Sequence, residues 1–183
     1  SGGLTVQPGA TLGGNITAGG TTAIQAGGTL AVGNSPGTGS FSTLTLAGTT
    51  VMDIASRGSA GIAFDTIAVS SSLIYGGELK LTFSGSVSSD ALTPFTLFTG
   101  TAGGGLLGSV TIYGSGGYVT TLSNSSGTTW SGLANLGYGS GTQSFTFTQS
   151  DGNLIVAVPE PTTWALLAFS LTTVMVLRRR RNS

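Results

Sequence analysis

Residues 27–54 read GGTLAVGNSPGTGSFSTLTLAGTTVMDI. Short runs of Thr, Val, Leu and Phe are punctuated by Gly-Gly and Pro-Gly, and no window of a dozen residues before Val158 carries the 3.6-residue period of an amphipathic helix. Apolar residues alternate at Leu44 and Leu46, continue through Val51 and Ile54, and alternate again at Leu79, Leu81 and Phe83. Side chains two apart share one face of a strand, so this pattern predicts strands with one buried face. The pairs Gly13-Gly14, Gly19-Gly20, Gly27-Gly28 and Gly76-Gly77 offer the positive φ that tight turns need, and they bound strands of three to seven residues. The same device starts at Leu4 and runs through LTVQPGATL and GGNITAGGTTAIQAGG. The body is therefore expected to be all-β. Strand length and spacing alone leave a sandwich, a barrel and a parallel β-helix open.

Composition narrows the chemistry. The 183 residues include 32 Gly, and only 7% are charged, so the surface must be solvated by hydroxyls and backbone. A mean hydropathy of +0.35 argues for a chain able to bury a core, and the length fits one domain. Before Val158 stand Arg57 and Lys80 against Asp53, Asp65, Glu78, Asp90 and Asp151, a net −3. Behind it stand Arg178, Arg179, Arg180 and Arg181 against Glu160, a net +3. An acidic body without a basic stripe lacks the footprint that phosphate contacts require, so nucleic acid is not expected as a partner. There is no Cys and no His, which excludes thiolate sites, imidazole-ligated metals and Ser-His-Asp or Cys-His catalysis. The opening SGGLTVQPG has neither an initiator Met nor a basic segment before an apolar stretch. It reads as mid-repeat, which suggests the back part of a longer chain, with a removed signal peptide as the alternative.

The stretch 27–54, then FDTIAVSSSLIYGGELKLTF, PFTLFTG, GSVTIYG and SFTFTQSDGNLIVAV, resembles the end of the right-handed parallel β-helix of autotransporter passenger domains, over about Gly27 to Val158. That resemblance implies a β-solenoid: circuits over 1–93 and a C-terminal cap over 94–157. The cap is where Phe95, Phe98, Tyr113, Tyr118, Trp130, Tyr138, Phe145 and Phe147 concentrate. An end circuit needs covering, because its edge and apolar face are otherwise open. The alternative for these aromatics is the core of a separate small sandwich.

The chain ends in VPEPTTWALLAFSLTTVMVLRRRRNS, residues 158–183. The run 162–177 has no charge; as a helix it spans about 24 Å, short against a hydrocarbon core of about 30 Å but within reach if the arginines snorkel. It is apolar around its whole circumference, which argues against an amphipathic core helix and predicts a single C-terminal transmembrane helix. Trp164 stands where an interfacial aromatic sits, and Arg178, Arg179, Arg180 and Arg181 predict a cytoplasmic C-terminus. Together, Pro159, Glu160 and Pro161, the apolar run and the Arg cluster resemble the PEP-CTERM sorting signal of Gram-negative bacteria. The resemblance implies an exosortase-type membrane protease as partner, passage through the membrane during processing, and release to the cell surface or an extracellular polysaccharide matrix.

Other candidate sites are weaker. Asp53, Asp65, Glu78 and Asp90 recur at nearly even spacing and would suit a sugar-cleaving pair only if brought about 5 to 9.5 Å apart in a groove. They are expected instead to be carboxylates of turns and strand edges. The Gly-Gly-x-Gly-x-Asp pattern of calcium solenoids is absent. Asn15-Ile16-Thr17 and Asn124-Ser125-Ser126 match a glycosylation acceptor pattern that chance supplies in Ser/Thr-rich chains. Arg57 and Lys80 are expected to be solvated. No catalytic, cofactor-binding or metal-ligating residue is assigned. The sequence thus predicts a non-enzymatic, exported structural or adhesive protein, with a polysaccharide-active enzyme fragment and a permanently anchored envelope protein as rivals.

Overall fold

The computed structural model of the chain describes residues 2–34, 36–87, 90–139 and 141–157. The predicted sorting motif, apolar run and Arg cluster at 158–183 lie outside them. The described residues are all-β, with strands of two to ten residues, many of them separated by glycine corners.

The chain visits two sheets in alternation. It runs through β1 (Leu4–Val6), β2 (Thr11–Gly14), β3 (Ile16–Ile24), β4 (Thr29–Val32), β5 (Thr38–Leu46), β6 (Thr49–Ile54), β7 (Thr66–Tyr75) and β8 (Glu78–Phe83). After β9 (Asp90–Thr96) come β10 (Phe98–Gly105) and β11 (Ser109–Tyr113). One sheet has the order β1-β3-β5-β7-β10 and the other holds β2, β4, β6, β8 and β11, every pair among these strands being parallel. Each circuit thus lays its two strands directly on those of the circuit before, an arrangement compatible with a β-solenoid.

Register follows from which side chains face in. In the second sheet Leu12 pairs with Leu30, Leu30 with Thr50, Thr50 with Leu79 and Leu79 with Val110, and from Leu30 onward this row is buried. The neighbouring row of Met52, Leu81 and Ile112 is buried too. Burying a Leu or Ile side chain is worth about 1.5 to 3 kcal/mol, and a slip of one residue would turn each row to solvent. Val51, read from the sequence as continuing the buried pattern, lies on the outer face and is only half-buried; the inward set here is Thr50, Met52 and Ile54.

Glycine permits close stacking at the corner between the sheets. Thr49 N–H donates to the Gly28 carbonyl at 2.9 Å, and Glu78 N–H to that of Gly48 at 3.0 Å. A Cβ on Gly77, which has φ +58°, would lie 1.8 Å from the Gly48 oxygen, so no other residue fits there. Gly19-Gly20 is different from the predicted turn, because both residues lie inside β3 and neither has a positive φ. Its absence of side chains serves a close approach: a Cβ on Gly20 would lie 2.5 Å from the Gly2 carbonyl oxygen.

A third sheet is antiparallel. It joins β13 (Ser123–Asn124), β14 (Thr129–Asn135), β15 (Thr142–Thr148) and β16 (Asn153–Ala157), and it reaches back to β9 in the order β13-β14-β15-β16-β9. A short strand β12 (Val119–Thr121) pairs antiparallel with β11 and covers that edge. The expected division at 93/94 falls inside β9, while parallel pairing continues to Tyr113. The third sheet shares one core with the parallel sheets: Phe83 meets Phe145 at 5.6 Å between ring centroids, Phe98 meets Phe147 at 6.1 Å, and Phe64 meets Phe95 at 5.2 Å, all edge-on. These aromatics therefore belong to the same core as the stacked parallel strands.

Candidate functional site

The long strands β3, β5, β7 and β10 each change register at the same level. The shifts fall between Ala18 and Thr21, between Phe41 and Thr43, and from Gly100 to Ala102. Unpaired residues at a bulge bend a strand, and here the bends stack. The result is an open groove of about 450 Å³ that crosses four successive strands. In-register pairing sets Thr17 against Ser40, Ser40 against Ala68 and Ala68 against Thr99, a row of exposed small side chains along one wall. Ser42 and Ser70 line the opposite side, and buried Phe41 and Val69 lie beneath. Ser70 Oγ donates to the Phe41 carbonyl at 3.5 Å, which turns that hydroxyl onto the wall.

With strands about 4.8 Å apart, three steps carry the row over about 14 Å. No ionisable side chain lines the groove. Its serines therefore have no base beside them, which activation of a hydroxyl nucleophile requires. What it offers is a mostly apolar surface carrying the uncharged hydroxyls of Thr17, Ser40, Ser42, Ser70 and Thr99, with Ala68 interrupting the row.

The predicted carboxylates do not all gather on one flank, although Asp53 and Asp65 come together. Asp53 faces outward on β6 and pairs with Thr82, Glu78 opens β8, and Asp90 opens β9 in the antiparallel sheet. Glu78 forms an ion pair with Lys80 at 3.4 Å and accepts a hydrogen bond from Thr111 Oγ1 at 3.2 Å. Asp65 is fully buried. Its two oxygens accept from the Gly37 N–H at 2.6 Å and from the Asp53 N–H at 2.7 Å, so one carboxylate ties the entry to β5 to the outer end of β6. Burial pushes its pKa up to about 6, against the pull of those two donors, and the Asp53 carboxylate adds to the rise. Among the described residues no group of three or more metal-ligating side chains forms, and no helix is long and apolar enough to cross a membrane.

Two sites differ from expectation in their details. Arg57 is not simply solvated: its guanidinium lies 4.7 Å from the Phe95 ring centroid, and it donates to the Thr93 carbonyl and, at 3.2 Å, to that of Val156. It clamps the loop after β6 onto both strands at the edge of the antiparallel sheet. The Asn of each acceptor triplet is engaged, Asn15 Oδ1 accepting from the Thr38 N–H of the next circuit at 2.9 Å and Asn124 Oδ1 from the nearby Gly127 N–H at 2.7 Å. The groove was missed in the sequence; its only signal is Ser, Thr, Ala and Gly recurring where strands would break. Comparisons with protein-family models, with curated proteins and with solved structures find no match for this chain.

Proposed function

We propose that this chain is an exported, non-enzymatic structural or adhesive protein, whose body is a right-handed parallel β-helix and whose C-terminus is a PEP-CTERM sorting signal. The observation that carries the reading is positional. Pro159, Glu160 and Pro161 come just after the last described strand of an all-β body and are followed in the sequence by the uncharged run 162–177 and by Arg178, Arg179, Arg180 and Arg181. An apolar run with a basic end halts translocation with the arginines on the cytoplasmic side, which gives an exosortase-type protease time to act. The body then leaves the membrane for the cell surface or an extracellular polysaccharide matrix. The groove, which no ionisable side chain lines, is in keeping with a matrix role, since it suits an uncharged ligand such as neutral glycan better than an ionic one.

The test is made in the native host on the full chain. C-terminal mass spectrometry of the mature protein is expected to find 178–181 removed. Replacing Pro159, Glu160 and Pro161 with Ala is expected to leave an uncut precursor in the inner membrane. A wild-type tail found intact at the final destination would refute the sorting reading and establish a permanent anchor.

A further inference from the structure

Strand register fixes the end of the body from which the C-terminal tail leaves. Leu133 on β14 pairs with Ser144 on β15, and Ser144 with Ala157 at the end of β16, so Leu133 lies two strand steps, about 10 Å, from the point of exit. Asn135 and the residues after it lie further towards the same end. Ser115 N–H donates to the Leu136 carbonyl at 2.9 Å, and a Cβ on Gly137 would lie 2.9 Å from Tyr118 Cδ2, which brings the segment leading into β12 to this end as well. Here Tyr118, Val119 and Leu133 are 51%, 54% and 58% exposed. Single apolar side chains on a surface are ordinary, but three large ones gathered where a tail departs mark a contact surface.

Chain length and charge say what covers it. Between Ala157 and the uncharged run 162–177 stand only the residues 158–161, and the five backbone steps from 157 to 162 reach at most about 18 Å. With that run in the bilayer, Ala157 and the apolar patch beside it are tethered close to the lipid surface. The patch has no charge to desolvate, since no Asp, Glu, Lys or Arg stands anywhere in 91–150, and Tyr118 carries the amphipathic ring that settles at the headgroup level. We propose, on the reading that 162–177 enters the bilayer, that Tyr118, Val119 and Leu133 form a lipid-docking surface that seats this end of the body in the headgroup layer. Docking there sets the body at a fixed attitude to the membrane. It also keeps the spacer 158–161 at the membrane surface, where a membrane protease can reach it.

The chain has no cysteine of its own, so the full protein accepts single labelling sites. Tyr118→Cys, Leu133→Cys, Ser126→Cys at the opposite end of β14, and Ser170→Cys in the apolar run are each labelled with a small fluorophore and reconstituted into phosphatidylcholine vesicles. Iodide in the water is expected to quench the labels at 118 and 133 at least about threefold less than the label at 126, because a group in the headgroup layer is shielded from an aqueous anion. The label at 170 is expected to be shielded most. Shielding at 170 with labels at 118 and 133 as open as that at 126 would overturn the docking surface and leave the membrane reading of the tail standing. An open label at 170 would overturn that reading and the docking surface with it. Shielding at 118 and 133 that disappears when the vesicles are diluted to about one chain each would place a second copy on the patch, and would also overturn the proposal.

Discussion

Asp65 is the residue with the clearest physical signature. A carboxylate with no exposure costs free energy when ionised, and its two backbone donors offset only part of that cost, which is why its pKa is about 6 and not the ordinary 3.8. The folded state therefore holds this proton more tightly than the unfolded chain does. Between pH 4 and 6 the folded protein binds more protons, so stability is highest below about pH 4, falls as pH rises through 6, and is level above that. The loss is on the order of 2 to 3 kcal/mol. Denaturant titrations at pH 4, 5, 6 and 7 are expected to show that decline, and Asp65→Asn is expected to flatten it. At neutral pH the variant gains by removing the buried charge but sets an amide N–H₂ against one of the donors now served, from Gly37 or Asp53. The slope is the diagnostic, since the two effects on absolute stability oppose each other. An unchanged slope in the variant would show that other carboxylates carry the pH dependence. The sequence groups Asp65 with solvated carboxylates of turns and strand edges, whereas it is fully buried just before β7, and nothing local to FDTIAV announces a buried side chain bonded across to Gly37.

At the scale of elements, the sequence was most legible where local chemistry decides the outcome. Alternation at Leu79, Leu81 and Phe83 and the corners at Gly27-Gly28 and Gly76-Gly77 predict strands and turns that are present, because period 2 and permitted φ are properties of a few adjacent residues. Gly19-Gly20 was misread as a turn for a non-local reason, the approach of the Gly2 backbone from the preceding circuit. The same limit hid β9, which lies between β8 and β10 in the chain yet pairs with β16. It also hid the stacked bends that make the groove, since no single strand reveals that its bulge lines up with three others. Arg57 shows what the long-range arrangement adds. Its planar fork stacks on Phe95 and reaches carbonyls on both β9 and β16, so it joins the parallel coil to the antiparallel sheet. Arg57→Ala is expected to lower stability by about 1 to 3 kcal/mol, and Arg57→Lys to recover less than half of that, because an ammonium cannot stack and serve two carbonyls together. Full recovery by Lys in thermal melts would mean that charge alone matters at this position.

Across the whole molecule, stability rests on buried apolar rows and backbone pairing, with electrostatics in a minor part. One core runs from Val6 to Val156 through the parallel sheets and the antiparallel one, whereas the ion pair between Glu78 and Lys80 is about one-third exposed at each side chain. A pair that open is worth at most about 1 kcal/mol, and no charged side chain stands before Asp53 in the given sequence. Salt therefore has little to act on. Raising the ionic strength to 1 M shortens the screening length to about 3 Å, enough to silence surface charge interactions, while burial of Leu, Ile and Phe is unaffected by screening. The thermal midpoint of the all-β body at neutral pH is expected to move by no more than about 3 °C between dilute buffer and 1 M sodium chloride, the shift that roughly 1 kcal/mol produces in a domain of this size. The unfolding transition is expected to remain single, because Phe98 with Phe147 and Phe83 with Phe145 bind the antiparallel sheet into the same core as the stacked strands. A shift of 10 °C or more in sodium chloride, or a second transition separating the antiparallel sheet from the coil, would show that charge or a divided core governs this fold.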